Sequence, residues 1–147
     1  THLLMAVLAE RDRADKTRFS IVQSQLAAEP LTTFEKLMAH NAAVPGLVQL
    51  FTTLIAESIQ PDQPGHDYFA ARYDTLRMNV VDVLRQSQSR GEIRTDIGAE
   101  ELSVMIVAMM DGLQIQWLYE PTKIDLVRVF GAFARIVKAS DGTQPKE

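Results

Sequence analysis

The sequence predicts an all-α domain built from six helices. Apolar residues recur every three to four positions along most of the chain, the spacing of a helix with one buried face. Only 7 Gly and 6 Pro occur among 147 residues, too few for the many turns of an all-β fold. The length is that of one domain, so we expect residues 1–147 to form a single core.

The first two predicted helices lie in the N-terminal third. One opens the chain, where Leu3, Leu4, Val7 and Leu8 have helical spacing. The next is predicted to begin near Thr32, because Thr32 and Glu35 have the spacing of a capping box. Its predicted buried face contains Phe34, Leu37, Met38 and Asn41.

Two further helices follow, separated by the breaker segment 60–65. Pro45 suits the first turn of the third helix, whose apolar stripe is Leu47, Leu50, Phe51, Leu54, Ile55 and Ser58. The fourth helix is predicted from Asp67 to Arg90, about 36 Å long, with Gly91 as its C-terminal cap. Its stripe is Phe69, Tyr73, Leu76, Val80, Val83 and Leu84.

The last two predicted helices, 99–118 and 123–139, are apolar on two faces each. On the first of them, one face is Leu102, Met105, Met109, Leu113 and Trp117, and the other is Val107, Met110, Gln114 and Leu118. A helix of this kind must be covered on both sides. The pattern indicates a homodimer in which these helices and those of a second copy form a four-helix bundle. The alternative is that both helices lie at the centre of a monomeric bundle.

The predicted dimer interface takes one row from each helix. Its residues are Val107, Met110, Gln114, Leu118, Leu126, Val129, Phe130 and Phe133.

Asp111 and Gly112 interrupt the apolar helix at its centre. A buried carboxylate needs a hydrogen-bond donor, and we expect Arg77, or Gln114 of the partner subunit, to supply it. Gly112 lets a neighbouring backbone approach closely. A structural role for Asp111 is favoured over contact with a ligand.

Composition excludes several classes of function. The chain has no Cys, which excludes disulfides, thiolate catalysis and Cys-ligated zinc. The three His residues lie on separate segments, and no nucleophile elbow, metalloprotease motif or phosphate-binding loop occurs. We therefore expect neither an enzyme nor a metal or cofactor site.

Charge and hydropathy define the expected surroundings of the chain. The formal net charge is −4 and the cations are scattered, so this chain alone is expected to bind DNA poorly. No apolar run reaches the roughly 18 residues of a membrane span, and no signal peptide is present. These features predict a cytoplasmic protein with no membrane partner.

Four segments, in this order and spacing, resemble the regulatory half of TetR-family transcriptional repressors: residues 45–58, 67–77, 90–97 and 106–121. Most specific are the Gly-Glu-Ile-Arg-x-Asp turn and the later Asp-Gly-Leu-Gln followed by a Trp. Residues 1–12 resemble the helix that follows the helix-turn-helix head of the family. The head itself is missing from this sequence, so the resemblance implies that DNA is bound only through that N-terminal domain.

The resemblance further implies that the C-terminal helix pair dimerises and that the preceding helices enclose an effector pocket. The predicted function is therefore that of the regulatory domain of a TetR-like repressor. Candidate pocket residues mix Met, aromatic rings and a few polar tips, which suits a small apolar or amphipathic effector. They are Phe34, Met38, Asn41, Phe51, Leu54, Ile55, Tyr73, Arg77, Met105 and Met109. The alternative is a helical dimerisation or interaction module that binds no small molecule.

Overall fold

The computed structural model describes Leu3, Ala6, Ala9, Glu10 and residues 25–140. The all-α prediction is confirmed. The complete helices are α1 (Pro30–Ala42), α2 (Pro45–Glu57), α3 (His66–Ser89), α4 (Ala99–Tyr119) and α5 (Leu126–Val137). Residues 25–28 and the four isolated N-terminal positions are also helical. Most of the first predicted helix lies outside the described residues.

Helix α1 begins earlier than predicted. Pro30 occupies its first turn, Glu29 is the N-cap, and no side chain caps the helix. Thr32 lies inside the helix and is exposed, while the Thr33 hydroxyl donates to the Glu29 carbonyl at 2.8 Å. The capping box predicted at Thr32 is therefore wrong. Proline favours the first turn because its fixed φ is helical and its missing N–H would lack an intrahelical partner.

Helix α5 begins later than predicted, at Leu126 rather than 123. The Asp125 carboxylate accepts a hydrogen bond from the Arg128 backbone N–H at 3.0 Å. This bond satisfies one of the free donors at the helix start. The sequence pattern could not distinguish Ile124 from the first helical turn because it continues the apolar spacing.

Gly91 ends α3 as predicted. Its φ is +74°, which residues with a Cβ adopt only at a steric cost. The Gly91 N–H donates to the Gln88 carbonyl and the Glu92 N–H to the Ser87 carbonyl. This pair of bonds is the Schellman arrangement, which satisfies carbonyls that the helix end leaves free.

Packing divides the apolar residues into two clusters. Helix α3 packs most extensively along α4, and α1 packs along α5. The main cluster fills the space among these helices, and its fully buried members include Met38, Val80, Leu84, Ile106 and Phe130. A smaller cluster joins α2 to the start of α3 and consists of Leu54 and Phe69, with Phe51, Ile55 and Tyr68 packed against them.

Helix α4 is the one described helix that is both long and strongly apolar. Its length and apolar composition meet the criterion for a membrane-spanning helix, although core helices of soluble proteins meet the same criterion. Only 33% of its most apolar stretch is buried within the chain. Much of its apolar surface is therefore left without cover by the helices around it.

We expect Gly91→Ala to lower the free energy of unfolding by about 1 kcal/mol, because alanine must adopt a positive φ there. No atom lies within 4 Å of an added Cβ at Gly91 or at Gly46, so sterics do not separate the two sites. Gly46→Ala, within α2, is the matched control and should instead stabilise the chain by about 0.5 kcal/mol. Urea unfolding followed by circular dichroism measures both changes.

Candidate functional site

A half-buried carboxylate lies at the contact between α3 and α4. The hydroxyl of Tyr73 on α3 donates a hydrogen bond of 2.6 Å to the Asp111 carboxylate on α4. The predicted Arg77 donor is wrong, whereas a donor from Gln114 of a partner subunit stays a prediction. Arg77 pairs with Asp74 at 3.0 Å, and the Gln114 amide nitrogen lies 4.0 Å from the sulfur of Met38 in the same chain.

The antiparallel course of α3 and α4 explains why Tyr73 is the donor. Opposite the next turn of α3, the Ser103 hydroxyl donates to the Arg77 carbonyl at 3.1 Å. Near the other end of the contact, Arg85 forms an ion pair with Glu100. This register brings Tyr73 opposite Asp111.

Burial and hydrogen bonding shift the ionisation of both groups. Burial raises the pKa of Asp111, and the hydrogen bond from Tyr73 and the positive charge of Arg72 act in the opposite direction. The pKa of Tyr73 is raised far above its usual value of 10, first by burial and then by its bond to Asp111. Tyr73 therefore keeps its proton at neutral pH and can donate it in a hydrogen bond. The Tyr73 bond and the charge of Arg72 offset only part of the free-energy cost of removing the Asp111 carboxylate from water.

Arg72 connects this pair to α2. Its guanidinium carbon lies 5.2 Å from the centre of the Phe51 ring, a cation–π distance. Phe51 and Tyr73 are among the candidate residues predicted from the sequence, whereas Arg72 is not. Only the packing of α2 beside α3 gives Arg72 this role, and no local motif indicates it.

The Tyr73–Asp111 pair lies between the two apolar clusters. Along α3, Tyr73 follows Phe69 of the small cluster by one turn and precedes Leu76, which packs against the main cluster. Polar groups at such a boundary are the few orienting contacts that an otherwise apolar binding site needs.

The candidate pocket residues divide between these clusters. Phe34 and Met38 are buried in the main cluster, with Met109 packed against it. Leu54, Phe51 and Ile55 belong to the small cluster. The side chains of Asn41 and Arg77 are half-buried.

Met105 belongs to neither cluster. Its side chain is 47% exposed, whereas Leu102 and Ile106 of the same helix are buried. Its assignment to a pocket wall stays a prediction.

An open groove of about 490 Å³ lies elsewhere, at the connection between α4 and α5. The residues lining it are Ala42, Trp117, Pro121, Thr122, Lys123, Ile124, Asp125, Leu126, Val127 and Arg128. None of the candidate effector residues is among them. No local sequence pattern indicates this groove, which depends on where the end of α1 meets the turn after α4.

The outer face of α4 is the largest apolar feature left exposed along this helix. We define it as Val104, Met105, Ala108, Gly112, Ile115 and Tyr119. Val104 is 53% exposed, Ile115 43% and Tyr119 85%. From residue 102 to residue 119, Asp111 is the single charged residue of the helix. The same helix thus buries one apolar face inside the chain and presents a second one to solvent.

Part of the predicted dimer interface lies in the core of the single chain. Val107, Leu126 and Phe130 are buried there, Phe130 completely, so a single chain exposes little or nothing of these side chains. Met110 and Leu118 are half-buried and pack against the main cluster, and Gln114 is half-buried beside Met38. On α5, Val129 is exposed and Phe133 is half-buried, with its ring 5.8 Å from that of Phe130.

Comparison with sequence families gives one match. Residues 27–139 match the family described as BetI-type transcriptional repressor, C-terminal. The matched region includes all five complete helices and the Tyr73–Asp111 pair. No curated protein and no solved structure matches the chain.

We expect Tyr73→Phe to lower the free energy of unfolding by about 1 to 2 kcal/mol at neutral pH, since it leaves a half-buried carboxylate without its donor. Tyr119→Phe is the control, because Tyr119 is largely exposed and its change should have little effect. Urea unfolding of both variants beside the unmodified chain gives the comparison.

The effect of Tyr73→Phe should also depend on pH. Burial raises the pKa of Asp111 in the folded state above its value in the unfolded chain, so the cost of holding the carboxylate is present above the folded pKa. It is relieved as pH falls through the folded pKa towards about 3.9. Removing the Tyr73 bond raises the folded pKa further, so the destabilisation should shrink in acid. An equal defect at pH 7 and pH 4 would contradict this account.

Proposed function

The chain belongs to the family of BetI-type transcriptional repressor C-terminal domains, and from this premise we propose that it is a regulatory domain that dimerises and senses a small effector. The family is regulatory rather than enzymatic, so we assign no catalytic role to Tyr73 and Asp111. We assign no contact with DNA to this chain, because its net charge of −4 opposes binding to phosphates. A regulator of this kind acts in the cytoplasm.

Dimerisation is supported by the outer face of α4. An uncharged helical stripe of this length, left in water, is typical of a surface that another protein covers. A second copy of the chain presents the same stripe, so a two-fold axis can bring the two faces together. No atom of the chain lies within 4 Å of an added Cβ at Gly112, so the chain's own packing does not require glycine there, whereas a closely packed partner helix would.

The proposed seam therefore differs from the one predicted from the sequence. It uses Val104, Ala108 and Ile115 of the outer face in place of Val107. On α5 it keeps Val129 and Phe133, and the exposed Ile136 extends this row by one turn.

Effector binding is supported by the polar pair between the two apolar clusters, the observation that carries this part of the proposal. An effector that separates the small cluster from the main one would meet Phe51, Leu54 and Met109 along its apolar parts. Its polar end would face Tyr73 and Asp111. We therefore propose an amphipathic effector with a hydrogen-bonding group at one end.

The effect of such a ligand is limited by its preference between two states. It can shift the domain only by as much as its affinity differs between two arrangements of α3 and α4. Displacing the Tyr73–Asp111 bond is one such difference, because the bond joins the two helices directly.

Ile115→Asp should convert the dimer to a monomer without unfolding the chain. The substituted side chain lies on the exposed outer face, so the charge is tolerated in water but not at a seam of at least roughly 1,600 Å². Sedimentation velocity at micromolar concentration measures the change.

The matched control for the dimer is Met78→Asp. Met78 is another exposed apolar residue, on α3 and outside the outer face, so this variant should remain a dimer. A monomeric unmodified chain, or equal dissociation by both variants, would refute the proposed seam.

Effector binding should appear as a rise in the melting temperature. A ligand present at 100 times its dissociation constant adds about 2.7 kcal/mol to the free energy of unfolding. We would test pairs of compounds matched in size, one member with a hydroxyl group and one without, such as cyclohexylmethanol and methylcyclohexane.

Two variants make this test specific. Leu54→Trp should abolish the thermal shift by filling the space at the small cluster, and Tyr73→Phe should weaken binding of the hydroxyl-bearing member more than that of its hydrocarbon partner. If the chain dimerises but no compound in a broad panel shifts its melting temperature, the alternative of a dimerisation module without a ligand is favoured.

A further inference from the structure

The connection between α3 and α4, residues 90–98, holds three parts of the chain together. It contains the Gly-Glu-Ile-Arg-x-Asp turn, which the dimer seam and the effector site do not use. The first of these contacts joins the connection to the last turn of α3, which precedes it. The side-chain amide of Gln88 donates to the carbonyls of Arg94 and Ile97 at 2.9 and 3.0 Å, which folds the turn back onto the end of α3.

The end of α5 is attached to this turn by backbone bonds. The Arg94 N–H donates to the Val137 carbonyl, and the Ala139 N–H donates to the Glu92 carbonyl, both at 3.1 Å. Ile93, almost completely buried, forms an isolated antiparallel bridge with Lys138. The Arg94 guanidinium adds a longer bond of 3.3 Å to the Ile136 carbonyl and is itself paired with Asp96.

The helical residues 25–28 contact the same turn through the Arg90 side chain, while Leu26 among them is buried in the main cluster with Ile93. The Arg90 guanidinium donates to the Ala27 carbonyl at 3.1 Å. It also donates to the Ser87 hydroxyl at 3.1 Å and forms two bonds of 2.9 Å with the Glu92 carboxylate. The paired bonds with Glu92 fix the plane of the guanidinium.

The position of this cation suits the carbonyl that it contacts. Ala27 is the penultimate residue of the helical stretch 25–28, which ends before Glu29. Carbonyls at a helix end carry a partial negative charge, which a cation stabilises. Arg90 is the C-terminal cap of α3, and its guanidinium contacts the C-terminal end of the helical residues 25–28.

We propose that Arg90 is a positioning residue that fixes the orientation of residues 25–28 relative to α3. Tyr73 and Arg90 lie on one continuous stretch of α3 and its cap, about 25 Å apart along the axis. A displacement of α3 at the Tyr73–Asp111 pair is therefore carried to residues 25–28 through Arg90. A regulatory role for this contact rests on the proposed function, whereas the positioning of residues 25–28 by Arg90 does not.

The absence of cysteine from the sequence makes a direct test possible. Two cysteines introduced at Ala28 and Gln86, both exposed, would carry spin labels that report the distance between residues 25–28 and α3. A second pair at Gln86 and Arg135, also exposed, would report the distance between α3 and α5. Excess unlabelled chain restricts the signal to distances within one chain, whatever its oligomeric state.

In the unmodified chain we expect one narrow distance distribution for each pair. Arg90→Met should broaden the distribution of the 28–86 pair and leave that of the 86–135 pair unchanged. Arg94→Met is the matched control, since it removes an arginine of the same turn that is also paired with a carboxylate. It should leave the 28–86 distribution narrow.

Arg90→Lys keeps the charge but loses the paired bonds with Glu92, so we expect a 28–86 distribution of intermediate width. This variant keeps the test decisive if Arg90→Met fails to fold. An unchanged 28–86 distribution in Arg90→Lys, or equal broadening of both pairs, would overturn the proposal. Sedimentation and thermal-shift results do not enter this outcome, so failure here is distinct from failure of the proposed function.

Discussion

The antiparallel contact between α3 and α4 is the interaction on which the rest of the structure depends. Val80 and Leu84 of α3 and Ile106 of α4 are completely buried at the centre of the fold. Burial of such side chains contributes on the order of 2 kcal/mol each. The buried Ser103 hydroxyl donates to the Arg77 carbonyl and fixes the rotation of α4 about its own axis. Once that rotation is set, one apolar face of α4 points inward and the other, from Val104 to Tyr119, must point outward.

The same contact explains why a carboxylate is tolerated in so apolar a helix. Asp111 lies at the edge of the buried face, where the Tyr73 hydroxyl reaches it and Arg72 is close enough to offset part of its charge. Full burial of an unpaired carboxylate would be far more costly. The pair interrupts the packing between two apolar clusters with a polar contact. In the proposed function, the two side chains that stabilise this contact are also those that a ligand would meet.

The ends of the helices are organised by polar contacts rather than by apolar burial. Arg90, Arg94 and Gln88 satisfy carbonyls from residues 25–28, from α5 and from the turn itself. Such contacts are directional, so they define how neighbouring segments are oriented more than how strongly they are held. The centre of the domain is accordingly fixed by burial, whereas residues 25–28 meet the end of α3 both through the buried Leu26 and through the Arg90 guanidinium.

The sequence by itself determined the helices and their approximate limits, because a 3.6-residue apolar period, Pro45, the 60–65 breakers and Gly91 act locally. It also placed Phe51 and Tyr73 among the candidate site residues, since both lie on apolar stripes. Local signals failed at Thr32, where Pro30 had already started the helix. Only the tertiary structure decided which apolar face of α4 is inside, turning Val107 inward and Val104 and Ile115 outward. It likewise chose Tyr73 over Arg77 as the donor to Asp111 and brought Arg72 beside Phe51. These choices depend on how each helix is rotated and shifted against its neighbours, which a periodic pattern with two apolar faces leaves undetermined.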